Sequence, residues 1–384
     1  REFYINDRGT QMAFYAASLA ARSAGQPVPE GGYQGQYIID WAAEMPADAD
    51  PFEWGYARAL ADHRAVLEDL NINFDTWFSE RSMIESGAID ATLADLATAD
   101  ASFEADGATW LRSTNWGDDK DRVLVKSDGQ YTYLLPDVAY HRDKFARADL
   151  LVNVWGADHH GYVPRMHAAM AALGHQSVDL EVAITQMVNL QRDGVEVKLS
   201  KRTGEIVELA EVVAEVGADA ARFTYLLLTI DSPQTFDLEL VARQVNENPV
   251  FYVQYAHARI HSLVERAAQE GFNRLALTDA DLSLLSHPRE LALLRALHEL
   301  PDTVLRAAND QAPHQITTWV RDFAALFHGF YHDCRLTGEG IDPATTVARL
   351  WLAEATRIGL VVALDLLGVS APQEMWRDNP EEQN

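Results

Sequence analysis

The sequence predicts an α/β region built on a parallel sheet, followed by an all-helical C-terminal region. Three observations carry this reading. A strand-turn-helix run, Leu150-Leu151-Val152-Asn153-Val154 and then Gly156-Ala157-Asp158-His159-His160-Gly161, is followed by a second apolar run from Leu180 to Leu190. The two runs lie about 30 residues apart, the size of a βαβ unit. After position 236 the β-type patterning fades, and residues 245–269, 288–309, 313–335 and 343–367 keep helical apolar spacing.

Taken in order, residues 1–24 read as a strand end, a loop at Asn6-Asp7-Arg8-Gly9, and a helix through Met12, Tyr15, Leu19 and Ala20. Gly and Pro from Gly25 to Pro46 mark a break, and 51–100 reads as helical and acidic. Arg122-Val123-Leu124-Val125 and Tyr131-Thr132-Tyr133-Leu134-Leu135 read as strands joined by the turn pair Asp128-Gly129. The helix after Gly161 places Val163, Met166, Met170 and Leu173 on one face, and Gly174 stops it. Asp193-Gly194 predicts a hairpin at the end of the second apolar run. The last helix is punctuated by Asp342 as N-cap, Pro343 at its first position, and Gly368 then Pro372 after its end. Val347, Leu350, Trp351, Ile358, Val361 and Val362 are its expected buried face. The polar tail Trp376–Asn384 is expected to be disordered.

Composition narrows the function classes. The chain carries 31 Lys+Arg against 58 Asp+Glu, a net charge of −27, which argues against non-specific nucleic-acid binding by the whole surface while leaving room for a local basic face. One cysteine excludes a disulfide framework and a Cys-rich zinc site. No apolar run reaches bilayer length and no charged-then-apolar leader opens the chain, so a cytoplasmic protein is expected. The first residue is Arg1, running straight into Phe3, Tyr4 and Ile5, which reads as a chain whose beginning has been cut away.

All five lysines fall between Lys120 and Lys201, and two of them sit in Val197-Lys198-Leu199-Ser200-Lys201-Arg202-Thr203-Gly204. Basic groups, a hydroxyl and a glycine on a loop after a hairpin suit a polyphosphate, because flexible ammonium groups can follow charge as it moves toward a transition state. The alternative is a solvated basic turn. The Gly156–Gly161 stretch lies where a parallel strand ends and a helix begins, the place where open α/β sheets bind ligands and anions. Its adjacent histidines cannot share one helical face and no third ligand is near in sequence, so a nucleotide contact is favoured over zinc and no bound metal is expected. One of the two histidines can equally be structural.

Longer stretches carry a resemblance. They include Glu2-Phe3-Tyr4-Ile5-Asn6-Asp7, Phe74-Asp75-Thr76-Trp77-Phe78-Ser79-Glu80, Gly117-Asp118-Asp119-Lys120-Asp121-Arg122 and Tyr133-Leu134-Leu135-Pro136-Asp137. Gly156–Arg165, Lys198–Gly204, Asn246–Arg259 and Leu366–Pro372 continue it in the same order. Across nearly all of residues 1–375 the chain resembles bacterial arginyl-tRNA synthetase, a class I aminoacyl-tRNA synthetase.

The resemblance implies the later part of a Rossmann-like class I catalytic domain with an inserted domain, then an all-α anticodon-binding bundle. In those terms 1–24 is the remainder of the first half of the catalytic domain, 25–128 the inserted connective domain, and 129–205 the second half with the Lys-Leu-Ser-Lys-Arg loop. Residues 206–240 are a linking segment that includes Arg222, 241–375 the anticodon-binding domain, and 376–384 the tail. The implied reaction is ATP-dependent activation of L-arginine to arginyl-adenylate, with ATP as its Mg2+ complex, and transfer to the 3′ end of arginine tRNA. Lys198, Ser200 and Lys201 are the implied catalytic residues, with Lys201 on the pyrophosphate. Leu199 and Arg202 stand where the family's loop has Met and Ser. Gly156, Asp158, His159, His160, Met187 and Val188 would hold ATP. Tyr133 and Asp137 would take the guanidinium, a planar five-donor cation that calls for a carboxylate and an acceptor in a partly dry pocket, with Glu80 as a further candidate. Asp137 beside Pro136 can also be read as a helix cap. Tyr252, Tyr255, His257 and Arg259 would contact tRNA, or else pack as helix core.

Two departures accompany the match. The first class I signature, His-x-Gly-His, is not found in these residues, so the 384 residues alone are expected to be inactive. Arg8 stands where the family usually has Ala or Trp. The alternative reading is a non-catalytic tRNA-binding or regulatory paralogue, which would need no Lys198–Arg202 loop; a further one is an adenylate-forming paralogue that passes arginine to another acceptor. A monomer is expected.

Overall fold

The computed structural model describes residues 1–192, 194–197 and 208–376. The chain divides into two compact units: Arg1–Glu68 with Ile72–Met187, and Asp69–Asn71 with the residues from Val188 onward.

In the first unit, β1 (Glu2–Ile5) leads into α1 (Gly9–Ser23), α2 (Gln36–Glu44) and α3 (Pro51–Asp69, whose last residue belongs to the second unit). Then come β2 (Thr76–Ser79), α4 (Glu80–Glu85), α5 (Ala88–Thr98), and the antiparallel sheet β3 (Ser102–Ala105), β4 (Ala108–Leu111) and β5 (Arg122–Val125). α6 (Leu134–Phe145), β6 (Leu151–Gly156), a 3-10 turn at Ala157–Tyr162, α7 (Val163–Ala172) and β7 (Leu180–Thr185) complete it. β6 and β7 pair in parallel from Leu151↔Leu180 to Gly156↔Thr185, so β6-α7-β7 is the expected βαβ unit. Met166 and Met170 of α7 are buried, as the spacing requires, and Gly174 follows with φ +95°. Leu134, Leu135 and Val138 of α6 pack with Leu124, Leu151 and Leu180 in one core, while Tyr15, Leu19, Ile38 and Trp41 form a separate one.

The second unit opens with β8 (Val188–Arg192) and β9 (Val195–Glu196), an antiparallel hairpin with Gly194 at φ +74°; Asp193 lies outside the described residues. α8 (Leu209–Val216), α9 (Ala218–Tyr225), β10 (Gln234–Asp237, parallel to β8) and α10 (Leu238–Ala242) lead to the long helices. These are α11 (Pro249–Gln269), α12 (Pro288–Asn309), α13 (His314–Asp333) and α14 (Pro343–Leu367), close to the four expected runs. Asp342 caps α14 by accepting from the Ala344 amide at 3.0 Å, and Gly368 ends it with φ +68°.

Five local expectations are corrected. The Gly/Pro break holds α2, because Ile38, Trp41 and Ala42 make a buried helical stripe against Tyr15 and Leu19. The acidic helical stretch contains β2, a four-residue strand paired in parallel with β1 from Glu2↔Thr76 to Ile5↔Ser79, too short for periodicity to show. Tyr131–Leu135 is not a strand: only Tyr131 bridges to Val125, and Leu134 already starts α6. Pro136 is tolerated there because the first-turn amides have no helical acceptor. The run from Leu180 to Leu190 is two strands in two sheets. On α14, Ile358 and Val362 are exposed, and the buried face runs through Thr346, Leu350, Ala353, Gly359 and Leu360. Counting large apolar residues missed that face because close packing favours small ones; a Cβ on Gly359 would lie 2.7 Å from Leu297.

Candidate active site

The first unit gathers two half-buried carboxylates, Glu80 and Asp137, at one end of its parallel strands, beside the fully buried Asp7. Asp137 sits one turn into α6, turned inward because Leu134, Leu135, Pro136 and Val138 around it are buried. It is not the cap. Tyr133 holds the N-cap position, and one oxygen of the Asp137 carboxylate accepts from the Tyr162 hydroxyl at 2.8 Å. Glu80 opens α4 directly after β2, where Ser79 caps the helix through the Ser82 amide at 3.0 Å. Its side chain is 14% exposed; Arg8 Nη1 lies 3.8 Å from it and the Tyr4 hydroxyl hydrogen-bonds it. Asp7, fully buried, steadies this corner by accepting from the Ser79 hydroxyl at 2.5 Å and the Arg81 amide at 2.9 Å.

Electrostatics follow from that packing. Burial pushes the Asp137 carboxyl above the usual carboxylate range, the Tyr162 hydrogen bond pulls it back, and the charge of Glu80 pushes it up further. Burial likewise raises Glu80, against the pull of Arg8 and the Tyr4 hydroxyl. Two half-dry carboxylates, one of them raised by the charge of the other, form a site that a cation stabilises, and a guanidinium offers both of them paired donors.

Beside this pocket, β6 ends at Gly156. A Cβ on Gly156 would stand 2.7 Å from Asp158 Oδ1, so the turn is built around a small residue. Asp158 and His159 point outward, 3.7 Å apart, and His160 is exposed as well. Met187 is 74% exposed and Val188 starts β8. Tyr133, at 93% exposure, projects into solvent while Asp137 one turn later is half-buried, so the structure does not bring these two side chains into one enclosed pocket. Lys198, Ser200 and Lys201 lie outside the described residues. Among the described residues, no group of three or more His, Cys, Asp or Glu is placed to hold a metal ion, and no helix is long and apolar enough to cross a membrane.

On α11, Tyr252 packs against His328 at 4.7 Å, and the Arg259 guanidinium lies over the rings of Tyr255 and Tyr331 at 4.7 and 4.5 Å. All three α11 residues are half-buried. His257 is corrected: it is 2% exposed, faces the interior, and is held to the Pro372 carbonyl at 2.8 Å. The same helix therefore has one face toward its neighbours and another that carries the aromatics.

Sequence reasoning missed Tyr4, Asp7, His141, Asn153 and Tyr162. Tyr4, Asp7 and Tyr162 lay inside matching stretches, but nothing in their spacing announced a partner.

A βαβ unit with a Gly-containing turn at the strand's carboxyl end, followed by a helical bundle, is the arrangement expected of a class I aminoacyl-tRNA synthetase, and comparison establishes that class. Residues 55–262 match the family described as tRNA synthetases class I (R), catalytic domain, and residues 253–375 match the DALR anticodon binding domain. The arginine–tRNA ligase of Oceanobacillus iheyensis is 45% identical over 98% of this chain and 70% of its own length. An arginyl-tRNA synthetase structure from Campylobacter jejuni superposes with a TM-score of 0.87 at 33% identity, covering 97% of this chain and 84% of that one. The Thermus thermophilus arginyl-tRNA synthetase shares the fold, with a TM-score of 0.76 at 21% identity over 97% of this chain and 75% of that one. The chain belongs to the arginyl-tRNA synthetases and spans about 70% of the length of the relatives it matches.

Proposed function

We propose that this chain carries the arginine-recognition and tRNA-binding parts of an arginine–tRNA ligase that uses ATP to activate L-arginine and transfers it to arginine tRNA. The observation that supports this most directly is the half-buried pair Glu80 and Asp137 beside the Gly156–His160 turn. The carboxylates take the guanidinium. Gly156, Asp158, His159, His160, Met187 and Val188 hold ATP, which enters as its Mg2+ complex.

The carboxylate of arginine attacks the α-phosphorus and pyrophosphate leaves. Lys201, with Lys198 and Ser200, stabilises the charge gathered on the leaving group. A hydroxyl of the terminal ribose of tRNA then attacks the arginyl carbonyl and AMP leaves. Tyr252, Tyr255 and Arg259 contribute stacking and cationic surface for tRNA, within an anticodon-binding region at 241–375. Tyr133, exposed at the start of α6, contributes to arginine binding beside Asp137. The ligase acts as a cytoplasmic monomer.

The test is arginine-dependent pyrophosphate exchange on the protein encoded by the whole gene. Robust exchange with arginine and none with lysine or citrulline is expected. Binding of arginine tRNA without any exchange would instead make the protein a non-catalytic tRNA-binding paralogue.

A further inference from the structure

Asp137 is held at two points, its backbone by His141 of its own helix, which Asn153 buttresses, and its carboxylate by Tyr162. The first is at its backbone. Lys144 Nζ donates to Asn153 Oδ1 at 2.7 Å, which turns the Asn153 amide nitrogen toward His141 Nε2, also at 2.7 Å. An amide NH2 only donates, so His141 Nε2 is the bare acceptor and its proton sits on Nδ1. That Nδ1–H donates to the main-chain carbonyl of Asp137 at 2.7 Å. His141 and Asn153 are buried, and burial, helped by the Lys144 charge, holds the imidazole neutral, down to about 3. Three hydrogen bonds thus run in one direction from α6 through β6 back to α6, and they fix the backbone at Asp137.

The second hold is on the carboxylate, through the Tyr162 hydroxyl at 2.8 Å. Tyr162 closes the turn that follows Gly156, and its own ring is fixed between Trp155, at 5.9 Å, and the Arg165 guanidinium, at 4.8 Å. With the backbone immobile, that hydroxyl decides where the carboxylate points.

We propose that Tyr162 is a positioning residue for arginine recognition, its hydroxyl aiming the Asp137 carboxylate and tying it to the turn that starts at Gly156. The proposal rests on the reading of Asp137 as a partner of the guanidinium. A hydroxyl that donates to a carboxylate also favours its charged form. The other groups that bear on Asp137 are Glu80 from α4, which opposes ionisation, and His159 in the turn and Lys144 on α6, which favour it; Tyr4 of β1 adjoins the same pair of carboxylates.

Tyr162→Phe tests this with little risk to the fold, since the ring contacts remain. In the present chain, 13C NMR titration of the Asp137 carboxyl, assigned with Asp137→Asn, is expected to move about one pH unit upward in Tyr162→Phe. In the protein encoded by the whole gene, the acid limb of kcat/KM for arginine in pyrophosphate exchange is expected to move by the same unit. The loss, about tenfold below that limb, falls on KM while kcat at saturating arginine stays near wild type. A ring that served packing alone would move neither quantity, because Phe preserves it. An unmoved carboxyl overturns the role of Tyr162 and leaves the reading of Asp137 standing. A carboxyl that moves while kcat/KM ignores it removes Asp137 from the guanidinium, and the proposal falls with that reading.

Discussion

The Arg222 guanidinium donates to the carbonyl of Leu70 at 2.6 Å and, through Nε, to the carbonyl of Leu367 at 3.1 Å. One side chain thereby satisfies two main-chain acceptors far apart in sequence, one of them at the C-terminal end of α14, where helical carbonyls lack partners. Asn71 adds a bond from its amide to the Gly368 carbonyl at 3.3 Å. Gly368 adopts φ +68°, and a Cβ there would run into the Arg222 guanidinium. Gly368→Ala is therefore expected to cost about 2 kcal/mol, from left-handed strain plus the displaced fork. A thermal or urea melt of the second unit's transition reads it; an unchanged midpoint would show that the guanidinium yields without loss.

His141 makes stability depend on acid. Burial lowers its pKa in the folded chain to about 3, against about 6.5 when unfolded. Between those values the unfolded state binds one more proton than the folded state, so stability is fully present above the unfolded value and falls as pH drops from 6.5 toward 3. The expected slope is about 1.4 kcal/mol per pH unit from this residue. His257 and His261, both lowered chiefly by burial, act in the same sense. Urea titrations at pH 7, 6 and 5 measure the slope, and His141→Gln should make it shallower. An equal slope in the variant would assign the acid sensitivity elsewhere.

The two faces of α11 separate by mutation. Tyr252 and Tyr255 are half-buried beside Arg259, whereas His257 is interior. Replacing both tyrosines by Leu keeps bulk for packing but removes flat rings, and is expected to weaken arginine-tRNA binding by about 1–3 kcal/mol per stacked base. His257→Gln should instead lower the melting temperature and leave tRNA affinity alone. Filter binding at fixed salt distinguishes them; unchanged affinity in the double Leu variant would make these tyrosines core residues.

The C-terminal helices were legible from their apolar spacing, and the last also from its own punctuation, since Asp342-Pro343 and Gly368 act within a few residues of where they stand. The βαβ unit was legible for the same local reason. What escaped was set by long-range pairing. β2 is a strand only because β1, more than 70 residues earlier, lies beside it. The Asp7–Ser79 and Tyr162–Asp137 bonds leave no mark in sequence spacing. Sequence leaves His257 open between a tRNA contact and helix core because helical period gives a face but not what covers it, and here the chain after α14 does. Asp137 stood among candidate pocket residues with a helix cap as the alternative, and its place inside α6 with a bond to Tyr162 sets it apart from a cap.

That separation sets the sharpest test of specificity. Arginine must be told from lysine and citrulline, which have similar length, so an apolar slot is not enough. A carboxylate aimed at the guanidinium rejects a ligand that leaves it unpaired. Asp137→Asn keeps the shape and removes the charge. It should cost about 3–5 kcal/mol in kcat/KM for arginine, the usual loss when one partner of a buried charge pair is removed. Stability should move the other way. The carboxyl is already raised by burial and by Glu80, so a neutral amide relieves desolvation and repulsion, and the melting temperature should hold or rise. A helix cap would behave differently, because Asn caps nearly as well as Asp and both activity and stability would stay near wild type. The measurement is arginine-dependent pyrophosphate exchange on the protein encoded by the whole gene, with a melt of each variant, and Glu80→Gln run beside it. Near-normal kcat/KM in Asp137→Asn together with a deep loss in Glu80→Gln would move the guanidinium to Glu80, whose carboxylate lies in the same buried corner.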